Sequence, residues 1–146
     1  MTVLIDHIVL NVTDDANMMR FYSEVMHFTA ERLQEYREGK VPFPSVRINA
    51  DTIIDFFPGA MWSQGKNDSS GHTNLNHFCL TIDKDGWDRL AQRLAIKGIP
   101  VEHGPVARWG AHGSGISIYF RDPENNLIEA RYYENKDETQ PCLLDS

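Results

Sequence analysis

The feature that most constrains the fold is an internal repeat: the segment around His7 returns 70 residues later around His77, with the same order of elements behind it. In the first copy LIDHIVLNV alternates as a strand, with His7, Val9 and Asn11 on one face and Ile8, Leu10 and Val12 on the other. Asp14 or Asp15 can cap a following helix, whose Met18, Phe21, Tyr22, Val25 and Met26 recur at three- and four-residue spacings and form one apolar stripe. Strands are expected over roughly residues 29–37, 45–49 and 52–57. The second copy opens with NHFCLTI and takes Asp83 or Asp85 as its cap. It sets Trp87, Leu90, Ala91 and Leu94 along one helix face and ends that helix at a left-handed Gly98, with IPVE as the next strand. GISIYFR and LIEARYY then flank Asp122-Pro123-Glu124-Asn125-Asn126 as a hairpin. Each half is β-α-β-β-β and is expected to leave an apolar sheet face bare, so the halves share a core. The reading is one domain over residues 3–133: module one 3–57, a Gly- and Ser-rich linker 58–74, module two 75–133, then a polar tail 134–146.

Composition narrows the partners. With 41% apolar residues in 146, the chain suits one globular domain, and its net charge of −7, with no run of Lys or Arg, disfavours nucleic acid and anionic membranes. No stretch is apolar enough to span a bilayer and MTVLIDHIVL has no basic leader, so a cytoplasmic protein is expected. Cys79 and Cys142 show neither disulfide framework nor CxxC spacing and read as free thiols.

Aligning the repeats makes Asp55 the counterpart of Glu129, as His7 is of His77. The His-to-acid spacings are 48 and 52 residues, and the longer hairpin loop accounts for the difference. All four residues have apolar neighbours on the opposite strand face and can point into one concavity. Two imidazoles and one or two carboxylates form a ligand set for Fe(II), Mn, Ni or Zn. The competing reading of any one strand histidine is a hydrogen-bonded structural residue. Pairing Glu129 with Tyr119 across the hairpin puts Tyr119, Ser117 and Arg131 on the same side, where the phenol can donate to a substrate oxygen or simply pack. His72 and His112 lie in Gly-rich loops, as lid residues or ordinary surface, and Trp109 and Trp62 either wall a pocket or pack a dimer contact. His27 and His103, at element ends, read as solvent-facing.

DHIVLNV, RFYSEVMHF, NHFCLTI and SIYFRDPENNLIEARYY together resemble the vicinal oxygen chelate superfamily, which includes glyoxalase I, fosfomycin- and bleomycin-resistance proteins and extradiol dioxygenases. The stretch VEHGPVARWGAHGSGISIYFRDPENNLIEARYY is similar to its glyoxalase-domain-containing protein 5 and virulence-protein branch. The resemblance implies an α+β fold of two tandem βαβββ modules forming a cupped mixed sheet, and a divalent metal held by His7, His77 and Glu129. Asp55 stands at the place of a fourth ligand but is one methylene shorter than Glu. It either completes the set or leaves a two-His, one-carboxylate site with open positions, which suits Fe(II) and oxygen chemistry.

Tyr119 precedes Glu129 by ten residues, the spacing at which extradiol dioxygenases and fosfomycin transferases carry a site tyrosine. His72 and His112 lie near the sequence positions of the dioxygenases' acid–base histidines, but their spacings depart from that family, with His112 seven residues before Tyr119 and His72 five before His77. Arg47, Trp109, Arg121 and Arg131 are substrate-binding candidates, although the scattered arginines do not form a phosphonate site. The expectation is a metal-dependent dioxygenase, with Fe(II) or Mn favoured, acting on a small molecule that chelates the metal through two oxygens. The alternatives are a glyoxalase-type isomerase or lyase with Ni or Zn, and a non-enzymatic bleomycin-resistance-like binding protein. A homodimer is expected, with sites built within one chain or across two.

Overall fold

In the computed structural model, which describes residues 5, 7–63, 75, 77–110 and 112–134, the chain forms two units, residues 1–72 and 73–146, on one plan. The first contains β1 (His7–Asn11), α1 (Asp15–Glu24), β2 (Thr29–Glu31), α2 (Leu33–Arg37), β3 (Ser45–Arg47), β4 (Ile53–Phe57) and α3 (Gly59–Trp62). The second contains β5 (Phe78–Thr81), α4 (Lys84–Ile96), β6 (His103–Gly110), β7 (Gly113–Arg121) and β8 (Leu127–Tyr132). Each sheet is mixed, ordered β1-β4-β3-β2 and β5-β8-β7-β6, with the first strand of the unit parallel to the last and the remaining pairs antiparallel. The repeated βαβββ plan and the α+β class are as the sequence implied.

Alternation along the strands divides each sheet into an apolar and a polar face. In the first unit Leu10, Val46, Ile54 and Phe56 are buried with Met18, Phe21 and Tyr22 of α1, and the Tyr22 and Phe56 rings lie 5.3 Å apart. In the second, Ile118, Phe120, Ile128 and Ala130 are buried with Trp87, Leu90 and Leu94 of α4, and the Trp87 indole N–H donates to the Ala130 carbonyl at 2.9 Å. The apolar face of each sheet therefore packs against its own unit's helix. Asp14 and Asp83 are the caps, accepting from the backbone N–H groups of Asn17 and Gly86 at 2.9 and 2.6 Å. Gly98 has φ 68°, the left-handed end the sequence called for.

Three expectations change. The strand over residues 29–37 stops at Glu31, and Leu33–Arg37 is helical after a left-handed Arg32 at φ 56°. Leu, Gln, Glu and Arg are good helix formers with no β-branched residue among them, and Gln34 bonds Glu38 one turn on. IPVE is not a strand; β6 begins at His103. The linker carries a short helix, α3, whose Trp62 indole N–H donates to the Val12 carbonyl at 3.1 Å. Residues 64–74 and the tail from 135 lie outside the described residues. No helix among the described residues is long and apolar enough to cross a membrane.

β6 carries a bulge that matters for the site. His103 pairs with Tyr119 but Val106 pairs with Ser117, so three steps along β6 match two along β7. The extra residue falls at Gly104-Pro105. Gly104 has φ 102°, and a Cβ there would stand 2.3 Å from the Ser117 carbonyl oxygen. Only glycine fits so close an approach at such a φ. Gly104→Ala is expected to cost about 2–4 kcal/mol in urea denaturation, from strain plus overlap. Gly39→Ala, at φ 73° with nothing within 4 Å, should cost about 1 kcal/mol. Equal losses would show that the close approach contributes nothing.

Candidate metal centre

Parallel pairing of β5 with β8 sets Cys79 opposite Glu129, so His77, two residues earlier, emerges on the same face as both. Glu129 is only 2% exposed, and a buried carboxylate needs donors. Oε1 accepts from the Ser117 hydroxyl and from Arg131 Nη2, each at 2.6 Å, while Oε2 lies 3.1 Å from His77 Nε2. Burial alone would raise the Glu129 pKa, but the Ser117 and Arg131 bonds, with a further one from Tyr119, outweigh it and hold the carboxyl below its usual range. Arg131 is itself buried. Burial works against its charge, but Glu129 and the Tyr133 hydroxyl hold its pKa above the ordinary value. Its Nε donates to Cys79 Sγ at 3.1 Å. Partial burial and the Glu129 carboxylate push the Cys79 thiol up to about 11, so it stays protonated near neutrality. Tyr119 lies opposite Glu129 across β7 and β8, and burial followed by the Glu129 charge and hydrogen bond raises its phenol above the ordinary value.

The first unit repeats this register: Val9 is opposite Asp55, and His7 stands two residues before Val9 on the face that Asp55 shares. Asp55 is 7% exposed, and its Oδ1 accepts from the Ser45 hydroxyl at 2.6 Å. The Ser45 oxygen in turn accepts from Arg32 Nη2 at 3.4 Å. Ser45 is directly across from Asp55, whereas Ser117 is across from Arg131 and reaches Glu129 on the diagonal. The extra methylene of Glu spans that diagonal; the shorter Asp meets only its direct neighbour.

Two atoms bound to one divalent ion at 2.0–2.2 Å stand about 3.0–3.5 Å apart, so the 3.1 Å between His77 Nε2 and Glu129 Oε2 fits two ligands of one metal. Among the described residues no three His, Cys, Asp or Glu side chains are gathered around a metal position. His77 and Glu129 are the pair that is fixed within one unit.

The other sequence candidates are placed as follows. Arg47 is tied to Glu31 and to the carbonyls of Asn49 and Ala50 at 3.2 and 3.0 Å. Arg121 is tied to Glu102 at 2.7 Å and to the Asn125 carbonyl at 2.9 Å. His112 stacks edge-on against Tyr133, ring centres 5.5 Å apart, and its backbone N–H donates to the Tyr133 hydroxyl. That hydroxyl also lies 3.4 Å from Arg131 Nη1, so His112 is linked through Tyr133 to the arginine that supports Glu129. Trp109 falls in β6 with its side chain outside the described part, and His72 lies outside the described residues.

His103 is exposed, as expected, and in addition packs on Tyr119 with ring centres 6.0 Å apart and accepts from Arg108. Ser45, His103 and Arg108 are contacts that the strand pattern alone missed. The one local signal was Gly104-Pro105 inside an otherwise regular strand, which marks a bulge.

The family model for the Glyoxalase/Bleomycin resistance protein/Dioxygenase superfamily matches residues 4–130, and the chain belongs to that family. It is 35% identical over 130 residues to virulence protein STM3117 of Salmonella typhimurium, covering 88% of this chain and 83% of that one. The crystal structure of STM3117 superposes with a TM-score of 0.71 over 91% of this chain and 98% of its own. The glyoxalase domain-containing protein RDO1 of Mycosarcoma maydis is 32% identical, with 90% and 69% of the chains covered. A glyoxalase/dioxygenase from Nostoc punctiforme is 26% identical with a TM-score of 0.70, over 90% and 92%. The superfamily's members are often enzymes that use divalent metals.

Ser117→Ala removes a hydrogen bond to a buried charge and is expected to cost about 1.5–3 kcal/mol in urea unfolding at pH 7. Because the Glu129 pKa is depressed in the folded state, its stabilisation is present above the unfolded carboxyl pKa and lost as pH falls through the lower folded value. The gap between variant and parent should therefore narrow below about pH 4. A gap independent of pH would mean that Ser117 contributes by packing alone.

Proposed function

We propose that the chain is a metal-dependent dioxygenase acting on a small molecule that presents two vicinal oxygens. The observation that carries this reading is the buried Glu129 carboxylate, with one oxygen held by Ser117 and Arg131 and the other turned to His77 at 3.1 Å. His77 and Glu129 would hold the metal, which would supply Lewis-acid polarisation of the substrate oxygens and, as Fe(II) or Mn, a site for dioxygen. Ser117 and Arg131 keep Glu129 ionised and oriented. Tyr119, whose raised pKa keeps its phenol protonated, stands beside the carboxylate and donates its proton to a substrate oxygen.

A second reading, a glyoxalase-type isomerase or lyase with Ni or Zn, is favoured by one feature. Asp55 is buried, held by Ser45, and occupies in its own unit the register position of Glu129, so the chain keeps the second carboxylate that this reading calls for.

Oxygen uptake by the Fe(II)-loaded protein across a panel of catechols tests the first reading; no uptake with any of them contradicts it. Tyr119→Phe is expected to lower turnover about a hundredfold with metal content unchanged. Normal turnover would return Tyr119 to a packing role. Asp55→Ala should keep its metal and turnover if the chain is a dioxygenase. Loss of both would favour the isomerase or lyase, and parent protein purified without stoichiometric metal would favour a binding protein.

A further inference from the structure

The bulge in β6 does more than bend a strand. His103 and Arg108 are five residues apart and would face opposite sides of a regular strand. The extra residue at Gly104-Pro105 restores parity: His103 pairs with Tyr119 and Arg108 with Gly115, four residues apart on β7, so both side chains emerge on the face that carries Tyr119, Ser117 and Glu129. Arg108 runs back along that face, and its Nη2 meets His103 Nε2 at 2.8 Å. A guanidinium has only donors, so the imidazole nitrogen is the acceptor of this bond. Nη1 donates to the Ala107 carbonyl at 2.9 Å, and a further bond joins the group to Tyr119.

Arg108 is exposed, and no carboxylate pairs with it among the described residues. In the same unit Arg131 is neutralised by Glu129 and Arg121 by Glu102. Tyr119 links this cation to the metal pair, its ring centre 5.9 Å from that of His77 and 6.0 Å from that of His103. An unneutralised, multi-donor cation bonded to the same Tyr119 that bonds Glu129 is suited to an anionic substituent on the chelating molecule.

We propose that Arg108, positioned by His103 and Tyr119, is the anion-recognition residue of this site, and that the substrate is a carboxylic acid whose carboxylate lies on Arg108 while its vicinal oxygens face His77 and Glu129. This rests on the chelating-enzyme reading above.

The test compares two probes of nearly equal shape, 3,4-dihydroxybenzoate and its neutral amide, by calorimetric titration of the metal-loaded protein, with and without EDTA. The parent should bind the carboxylate about tenfold more tightly than the amide. Arg108→Gln should abolish that preference by weakening the carboxylate more than the amide, and Arg108→Lys should restore part of it. Equal affinities in the parent, a preference that survives Arg108→Gln, or no binding of either probe would each overturn the proposal. If the preference depends on Arg108 but neither probe responds to EDTA, the anion site stands and the chelation reading falls. If EDTA weakens both probes but the parent shows no preference, chelation stands and the anion site falls.

Discussion

The candidate site depends on how one buried charge is compensated. A carboxylate as enclosed as Glu129 is costly unless donors replace water, and here Ser117 and Arg131 both converge on the same oxygen. That asymmetry has two effects. It keeps the group ionised, and it stops the carboxylate from rotating, so that its second oxygen is committed to the direction of His77. Arg131 has the converse need, because a buried guanidinium requires its carboxylate. Each of the two makes the other tolerable, and the geometry of the site is coupled to the stability of β7 and β8.

The duplicated register explains why the site has a counterpart, and the side chains explain why the counterpart differs. In both units the first strand lies parallel to the last, with a histidine two residues ahead of the position facing the acid. In the first unit the acid is shorter and meets a directly opposed serine. Its arginine reaches only that serine's hydroxyl, at 3.4 Å. In the second the acid is longer, the serine lies on the diagonal, and the arginine bonds the carboxylate itself. Two halves of one ancestral pattern thus hold their carboxylates with different firmness. The second unit also carries the cationic side chains, Arg131 and Arg108.

Much of this was legible in the residues. Period-two alternation assigned His7, His77, Asp55 and Glu129 to the polar faces, and the caps at Asp14 and Asp83 and the stop at Gly98 follow from local backbone chemistry that no distant contact overrides. What failed was of two kinds. Residues 33–37 have no clear periodicity, and the left-handed Arg32 that turns them into a helix leaves no mark on its side-chain type. The face on which Arg108 emerges depends on a bulge, and a one-residue change of register reverses every later side chain of a strand. Pattern reading therefore loses parity at Gly104. Ser45 was missed for another reason: its importance lies in the acid across from it, and cross-strand pairing is not written in either strand alone.

The central claim is that His77 and Glu129 Oε2 are two ligands of a single divalent ion. Titration with Co(II), followed by its visible ligand-field absorption, measures this directly, because those bands report nitrogen and oxygen donors at the metal itself. The account predicts saturation at one equivalent in the parent protein, with the bands lost or strongly altered in His77→Ala and in Glu129→Gln. Bands that survive unchanged in both variants would contradict it.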